Sequence, residues 1–229
     1  MGETQINQHP DPAGAAAAAL DRLKIFPLPG AVLLPGSAVP LHIFEPRYRL
    51  MLEDCRAGDQ VLALASLVTE GGVGDAPRVN ATVGVGVLAA DQLLPDGRSV
   101  ILLQGVLRAR IEEELWTATP YRQVRARLLE ERDRPDDLAE QAALLRHMVQ
   151  RLARTFPDGD LEPLVKLTHG GLGPGRMADA VGGLVLDDPG RRQELLEELI
   201  PARRLEMVNQ RLVEVLGRMT DGGDGPTLN

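Results

Sequence analysis

FPLPGAVLLPGSAVPLHIFEPRYRLML, residues 26–52, holds five prolines in an otherwise mostly apolar string. Proline has no N–H to donate and a fixed φ, so neither a helix interior nor a central strand accepts it repeatedly. The segment therefore divides at its prolines. Pro27 and Pro29 predict a short extended piece with one free edge. Val32, Leu33 and Leu34 read as buried, and Pro35-Gly36 as a turn. Val39 to Phe44 reads as a strand with Pro40 near its start. Pro46 pushes Glu45 out of the helical region and suits the first turn of a helix, RYRLMLEDCRAG, that Gly58 ends. The order is edge strand, turn, strand, helix.

Working outward, the pattern stays strand-like to about residue 130. QVLALASLV (60–68) is a near-continuous apolar run, as in a buried strand. EGGVGDAP (70–77) reads as a loop and TVGVGVLAA (82–90) as a glycine-rich strand. Pro95-Asp96-Gly97 predicts a tight turn before SVILLQG (99–105). LRARIEEEL (107–115) and YRQVRARLLE (121–130) alternate apolar and polar residues, as half-buried strands do. From residue 136 the period turns helical, with Leu138, Ala142, Leu145, Val149 and Leu152 on one face. LEPLVKLTHG, MADAVGGLVL, RRQELLEELI and the segment after Pro201 predict further helices, the last carrying Leu205, Val208, Leu212 and Val215. The expected fold class is α+β: a β-rich domain over 20–131, antiparallel barrel or sheet, then a helical bundle over 132–219. Residues 1–19 and 220–229 read as flexible tails, polar or alanine-rich without an amphipathic period.

Composition removes several function classes. The net charge is −8 and neither half is basic, whereas a phosphate-tracking surface needs a cationic excess. Aromatics are 3% of the chain, few for base stacking, so nucleic acid is disfavoured as a partner. No run approaches the ~18 apolar residues that span a bilayer, so no membrane partner is expected. The single cysteine, Cys55, excludes an internal disulfide and a thiolate cage, which fits a cytoplasmic location.

The opening string resembles the start of the Lon protease N-terminal (substrate-binding) domain family. There a Phe-Pro-Leu segment, a Leu/Phe-Pro-Gly turn and Pro-Leu-His-Ile-Phe-Glu-Pro-Arg-Tyr come in this order. Gly84, Pro95-Asp96-Gly97, Gly105 with Leu107 and Arg108, and the C-terminal RQELLEEL…RLEMV agree more loosely, so the resemblance covers roughly residues 24–218. It implies a PUA-like β-domain followed by a helical bundle, and a role in recognising client polypeptides. A P-loop needs Gly-Lys-Ser/Thr, and no Gly-Lys pair occurs in this sequence. The expectation is a stand-alone form of the domain, without ATPase or peptidase domains.

Tempting chemistry is weak throughout. His42 and Glu45 have a His-x-x-Glu spacing, but Pro46 interrupts any helix presenting both, and no third ligand is near. They read with Pro46 and Arg47 as a structural motif, His42 bonded to backbone and Arg47 paired with Glu45 or a helix end. GVGVLA (84–89) matches a dinucleotide fingerprint, but a strand follows it rather than a helix. Its glycines then serve close strand packing or a bulge. Cys55 sits near a helix C-terminus, where the dipole disfavours a thiolate. His169-Gly170-Gly171 reads as a helix-terminating loop, and none of Ser37, Ser66 and Ser99 stands in Gly-x-Ser-x-Gly. Arg203, Arg204, Arg211 and Arg218 interleave with Glu197, Glu198, Glu206 and Glu214, which predicts a solvated, salt-bridged face. No catalytic, metal or cofactor site is expected. The expected function is non-catalytic recognition of unfolded or extended client polypeptides, with an ATP-dependent protease as a further partner. The expected contact surface is Phe26, Pro29, Leu33, Leu34, Pro35, Phe44 and Tyr48, with backbone pairing at an exposed strand edge. The rival reading is a PUA-like RNA-binding protein.

Overall fold

A computed structural model describes residues 4–7, 9–68, 77–132, 138–155 and 161–220. The chain divides into two compact units, 1–129 and 130–229.

In the first unit the chain runs β1 (Thr4–Ile6), α1 (Pro12–Ala18), a 3-10 turn (Leu20–Arg22) and β2 (Leu23–Leu28). It continues through β3 (Ala38–Ile43), α2 (Pro46–Ala57), β4 (Val61–Ser66), β5 (Thr82–Leu93), β6 (Ser99–Leu115) and β7 (Gln123–Leu128). The strand order is β1-β5-β4-β2-β7-β6-β3, and β5 also pairs with β6. The ladder β4-β5-β6-β7-β2 thus closes on itself as a barrel, leaving β1 and β3 as edges. Register shifts at Val85/Gly86 and Leu88/Ala90 bend the long β5–β6 hairpin. Most pairs are antiparallel, as expected, but β2 and β4 are parallel. A parallel pair needs a long crossover, supplied here by β3 and α2. The sheet is therefore mixed.

β4 is buried along its whole length. Val61, Ala63 and Ala65 face a cluster with Leu23, Ile25, Val83, Val85 and Val124. Leu62 and Leu64 face the other way, toward Tyr48, Met51, Leu52 and Cys55 of α2. Those four fall at helical spacing on one stripe, and fully burying a side chain such as Met51 or Leu52 stabilises by roughly 1.5–3 kcal/mol.

Three expectations need correction here. Residues 4–19 are not a free tail: β1 pairs with β5, and α1 packs on β5 and β6 through buried Ala16. Asp11 caps α1 by accepting from the Gly14 N–H at 2.9 Å. Alanine carries too little hydrophobicity to mark an apolar face, which hid this helix. Second, β2 is an edge over only part of its length: β4 flanks it on one side and β7 covers Leu23 and Lys24 on the other, so the predicted free edge is confined to the stretch at Pro27. Third, Leu33 and Leu34 are buried, as their apolar run predicted, and Pro35 with them, so none of the three belongs to the expected contact surface. A Cβ on Gly84 would lie 1.8 Å from the Leu33 carbonyl oxygen, and one on Gly105 2.1 Å from that of Leu34. The glycines of β5 and β6 are the seat for this loop. Gly36, with φ 84°, and Ser37, whose hydroxyl donates to the Leu34 carbonyl at 2.7 Å, close its turn.

The second unit holds α3 (Ala139–Thr155), α4 (Glu162–His169), α5 (Pro174–Val185), α6 (Pro189–Glu197) and α7 (Pro201–Thr220). The predicted loop at 70–77 and tail at 220–229 fall almost wholly outside the described residues. Asp188 caps α6 by accepting from Arg191 N–H at 3.1 Å. α7 packs on α3 and α5 through Leu205, Val208, Leu212 and Val215, all buried. Arg204 and Arg211 do not join a solvated face. Arg204 is fully buried, paired with Glu131 and, at 3.3 Å, with Asp179. Arg211, also buried, donates to the Val185 carbonyl at 3.1 Å and pairs with Asp187 at 2.9 Å. Buried guanidinium groups persist because each has such partners.

Candidate functional site

In the first unit, a cleft opens beside β2, beyond the bond from the Ile25 N–H to the Arg122 carbonyl. Phe26, Pro27, Leu28 and Pro29 form one wall. His42, Phe44, Glu45, Arg47 and Tyr48, from the end of β3 and the first turn of α2, form the second. Leu67, Pro77, Pro120, Tyr121 and Arg122 complete it. Its volume is ≈ 320 Å³, within the range of ligand-binding clefts. The chain has three Phe, two Tyr and one Trp, and four of these six aromatics line this one cleft.

The aromatic floor is fixed. Phe26 and Tyr48 meet edge to face, centroids 4.5 Å apart at 73°. Arg47 lies over the Tyr48 ring at 4.5 Å. The Tyr121 hydroxyl donates to Asp54 Oδ2 at 2.6 Å, and burial together with that bond raises its pKa. Burial also raises the pKa of Tyr48. Phe44 differs: the alternation of β3 turns Leu41 and Ile43 inward and leaves Phe44 61% exposed at the rim. A large apolar side chain held that far in solvent is the informative kind of exposure.

The rim is charged but internally paired. Arg47 Nε donates to Glu45 at 2.9 Å. Arg122 makes a two-pronged pair with Glu114 at 2.7 and 2.8 Å, lowering the Glu114 pKa, and also donates to the Pro77 carbonyl at 2.9 Å. The Arg47–Glu45 pair is the one expected, and Pro46 opens α2. His42 departs from expectation. It is exposed on the outer face of β3 and borders the cleft rather than bonding backbone groups.

The structure therefore brings Phe26, Pro29, Phe44 and Tyr48 together, along with His42, Glu45 and Arg47. It removes Leu33, Leu34 and Pro35, which are interior; Phe26, Tyr48 and Tyr121 are also buried but border the cleft, so Phe44 is its one well-exposed aromatic. Sequence reasoning missed Tyr121, Arg122, Pro77 and Pro120. The scarcity of aromatics was the usable signal for Tyr121.

The remaining candidates are structural. Cys55 is buried against β4, its thiol pushed up to about 12 by burial, which keeps it protonated at neutral pH. His169 ends α4 beside the Val165 carbonyl, Nδ1 at 2.9 Å. Residues 84–89 lie inside β5. Among the described residues no group of three or more His, Cys, Asp or Glu is placed to hold a metal ion, and no helix is long and apolar enough to cross a membrane.

A mixed β-barrel unit followed by a helical unit defines an α+β protein, with an aromatic-lined cleft on the first unit. The chain matches the ATP-dependent protease La (LON) substrate-binding domain over residues 22–214, and it belongs to that family. It is 33% identical over 199 residues to a Lon protease of Trichlorobacter lovleyi, covering 83% of this chain and 23% of the relative. A Lon protease of Geobacter metallireducens is 29% identical over 199 residues, covering 84% of this chain and 24% of the relative. The chain thus spans about a quarter of the length of the curated relatives it matches. Two solved structures share the fold. One is a Lon N-terminal domain protein from Xanthomonas campestris, with TM-score 0.60, 24% identity, and coverage of 82% of this chain and 96% of that one. The other is the N-terminal domain of the Mycobacterium avium complex Lon protease, with TM-score 0.63, 17% identity, and coverage of 84% and 98%.

Proposed function

We propose that this chain recognises unfolded or extended stretches of client polypeptides in the cleft beside β2, as a non-catalytic step in protein quality control. The observation that carries the reading is the gathering of Phe26, Phe44, Tyr48 and Tyr121 into one cleft in a chain so poor in aromatics. Rigid aromatic surface binds apolar side chains at low entropic cost, and a folded client has few such side chains to offer. The relatives named above are Lon proteases, which supports an ATP-dependent protease as the destination of the clients. The first test is binding of a permanently unfolded protein, reduced and alkylated, measured by fluorescence anisotropy. The unfolded form binds and its folded parent does not. Phe44→Asp, at an exposed position that folding tolerates, weakens binding at least about tenfold. Equal binding of the folded and unfolded forms, or none by the wild-type chain, removes the reading.

A further inference from the structure

Backbone directions along β2 decide what conformation the cleft accepts. In a strand, successive residues aim their N–H and C=O groups to opposite sides. The Leu28 carbonyl accepts from Leu67 N–H at 3.4 Å, so even-numbered residues of β2 face the β4 side. The Ile25 N–H donates to the Arg122 carbonyl at 3.1 Å, so odd-numbered residues face the β7 side. The register with β7 ends at Lys24, and the next odd residue on the open side is Pro27. Proline has no N–H. The edge that borders the cleft therefore offers a carbonyl and no donor. An incoming β-strand needs donors and acceptors in turn, and this edge cannot supply them.

The charges point the same way. Arg47 is matched by Glu45 and Arg122 by Glu114, so the rim presents closed ion pairs, complementary to an uncharged occupant. Alongside that carbonyl, the rim offers donors in the exposed His42 ring and the guanidinium hydrogens not engaged in those pairs. An occupant matched to this surface is neutral, presents carbonyls, and does not need the alternating donors and acceptors of a β-strand.

A polyproline II segment has that chemistry. Its backbone makes no internal hydrogen bonds, its prolines lack donors, and its side chains project at about three residues per turn into aromatic-lined grooves. We infer that the cleft takes a neutral, proline-containing apolar segment in the polyproline II conformation, and rejects pairing with a β-strand. This rests on the client-binding reading and narrows it.

The test uses the whole chain and labelled short peptides in anisotropy titrations. One peptide is neutral and proline-rich with interspersed Leu and Phe. A second has the same mean hydropathy but alternates Val and Thr, without proline. The third probe is oligouridylate. The proline-rich peptide binds at least about tenfold tighter than the Val/Thr peptide and loses that margin with Phe44→Asp, because its conformation is already ordered. Pro27→Val gives the open edge a donor and narrows the margin of the proline-rich over the Val/Thr peptide at least about threefold; an unchanged margin overturns the edge argument. If the Val/Thr peptide binds the wild-type chain as tightly, and in a Phe44-dependent way, the polyproline inference falls and the client-binding reading stands. If neither peptide nor the unfolded protein binds, both fall. Phe44-dependent binding of oligouridylate alone replaces both with a nucleic-acid site.

Discussion

A Cβ atom at Gly105 would stand 2.1 Å from the Leu34 carbonyl oxygen, a backbone atom that no rotamer change can move aside. Gly105→Ala is therefore expected to cost roughly 3 kcal/mol, read as a lowered thermal midpoint. Gly171, which has nothing within 4 Å of its Cβ position but a φ of +77°, is strained by a side chain for a different reason. The repeated glycines of TVGVGV announced a close approach, but not by what: Leu33 and Leu34 are distant in sequence, and their apolar character suited an exposed contact as well as a plug. Cys55 makes a pH prediction. Its thiol ionises near ~8.5 when unfolded and about 12 when folded. Below the unfolded value both states hold the proton and the contribution is complete. Between the two values the unfolded chain releases its proton while the folded one keeps it, so stability falls as pH rises. The urea midpoint should drop between pH 7.5 and 9.5 in the wild-type chain and drop less in Cys55→Ala. Equal drops would remove the thiol as the cause. Arg204 and Arg211 were legible after all: together with Val208 and Val215 they fall at helical spacing on the apolar face of α7.

Among the elements, α1 is the one whose removal says most. Ala16, Ala19 and Leu20 pack with Val83, Val85 and Ala109, so this segment is part of the core. A chain beginning at Leu23 should lose roughly 1–3 kcal/mol and show a lower thermal midpoint. An unchanged midpoint would restore the picture of a free tail. The N-terminal signals were present, since Asp11 before Pro12 is a cap followed by a first-turn proline. β4 to β7 were legible because apolar runs and alternation mark strands directly. The direction of the β2–β4 pairing was not, because alternation is the same for parallel and antiparallel neighbours. The cleft was half legible for a related reason. Phe26, Phe44 and Tyr48 lie in one proline-punctuated string, but Tyr121 reaches them only through the closure of β7 on β2.

For the whole molecule, each unit holds a core of its own. Arg204→Ala takes from the buried Asp179 its ion-pair partner within the helical unit, and should cost about 3–5 kcal/mol there. Hydrogen exchange should report faster opening of α5 and α7 while β4 to β6 keep their protection. Equal acceleration in both would mean that the units unfold as one. The barrel closes when Leu23 meets Val124, which brings together segments about a hundred residues apart in the chain. That pairing also sets the third wall of the cleft. During synthesis, Phe26 and Tyr48 leave the ribosome long before Tyr121 and Arg122 exist to face them. A growing chain has no cleft to fill until β7 has emerged, so it cannot capture its own unfinished segments there, and the proposed binding of clients would arise only together with the completed barrel.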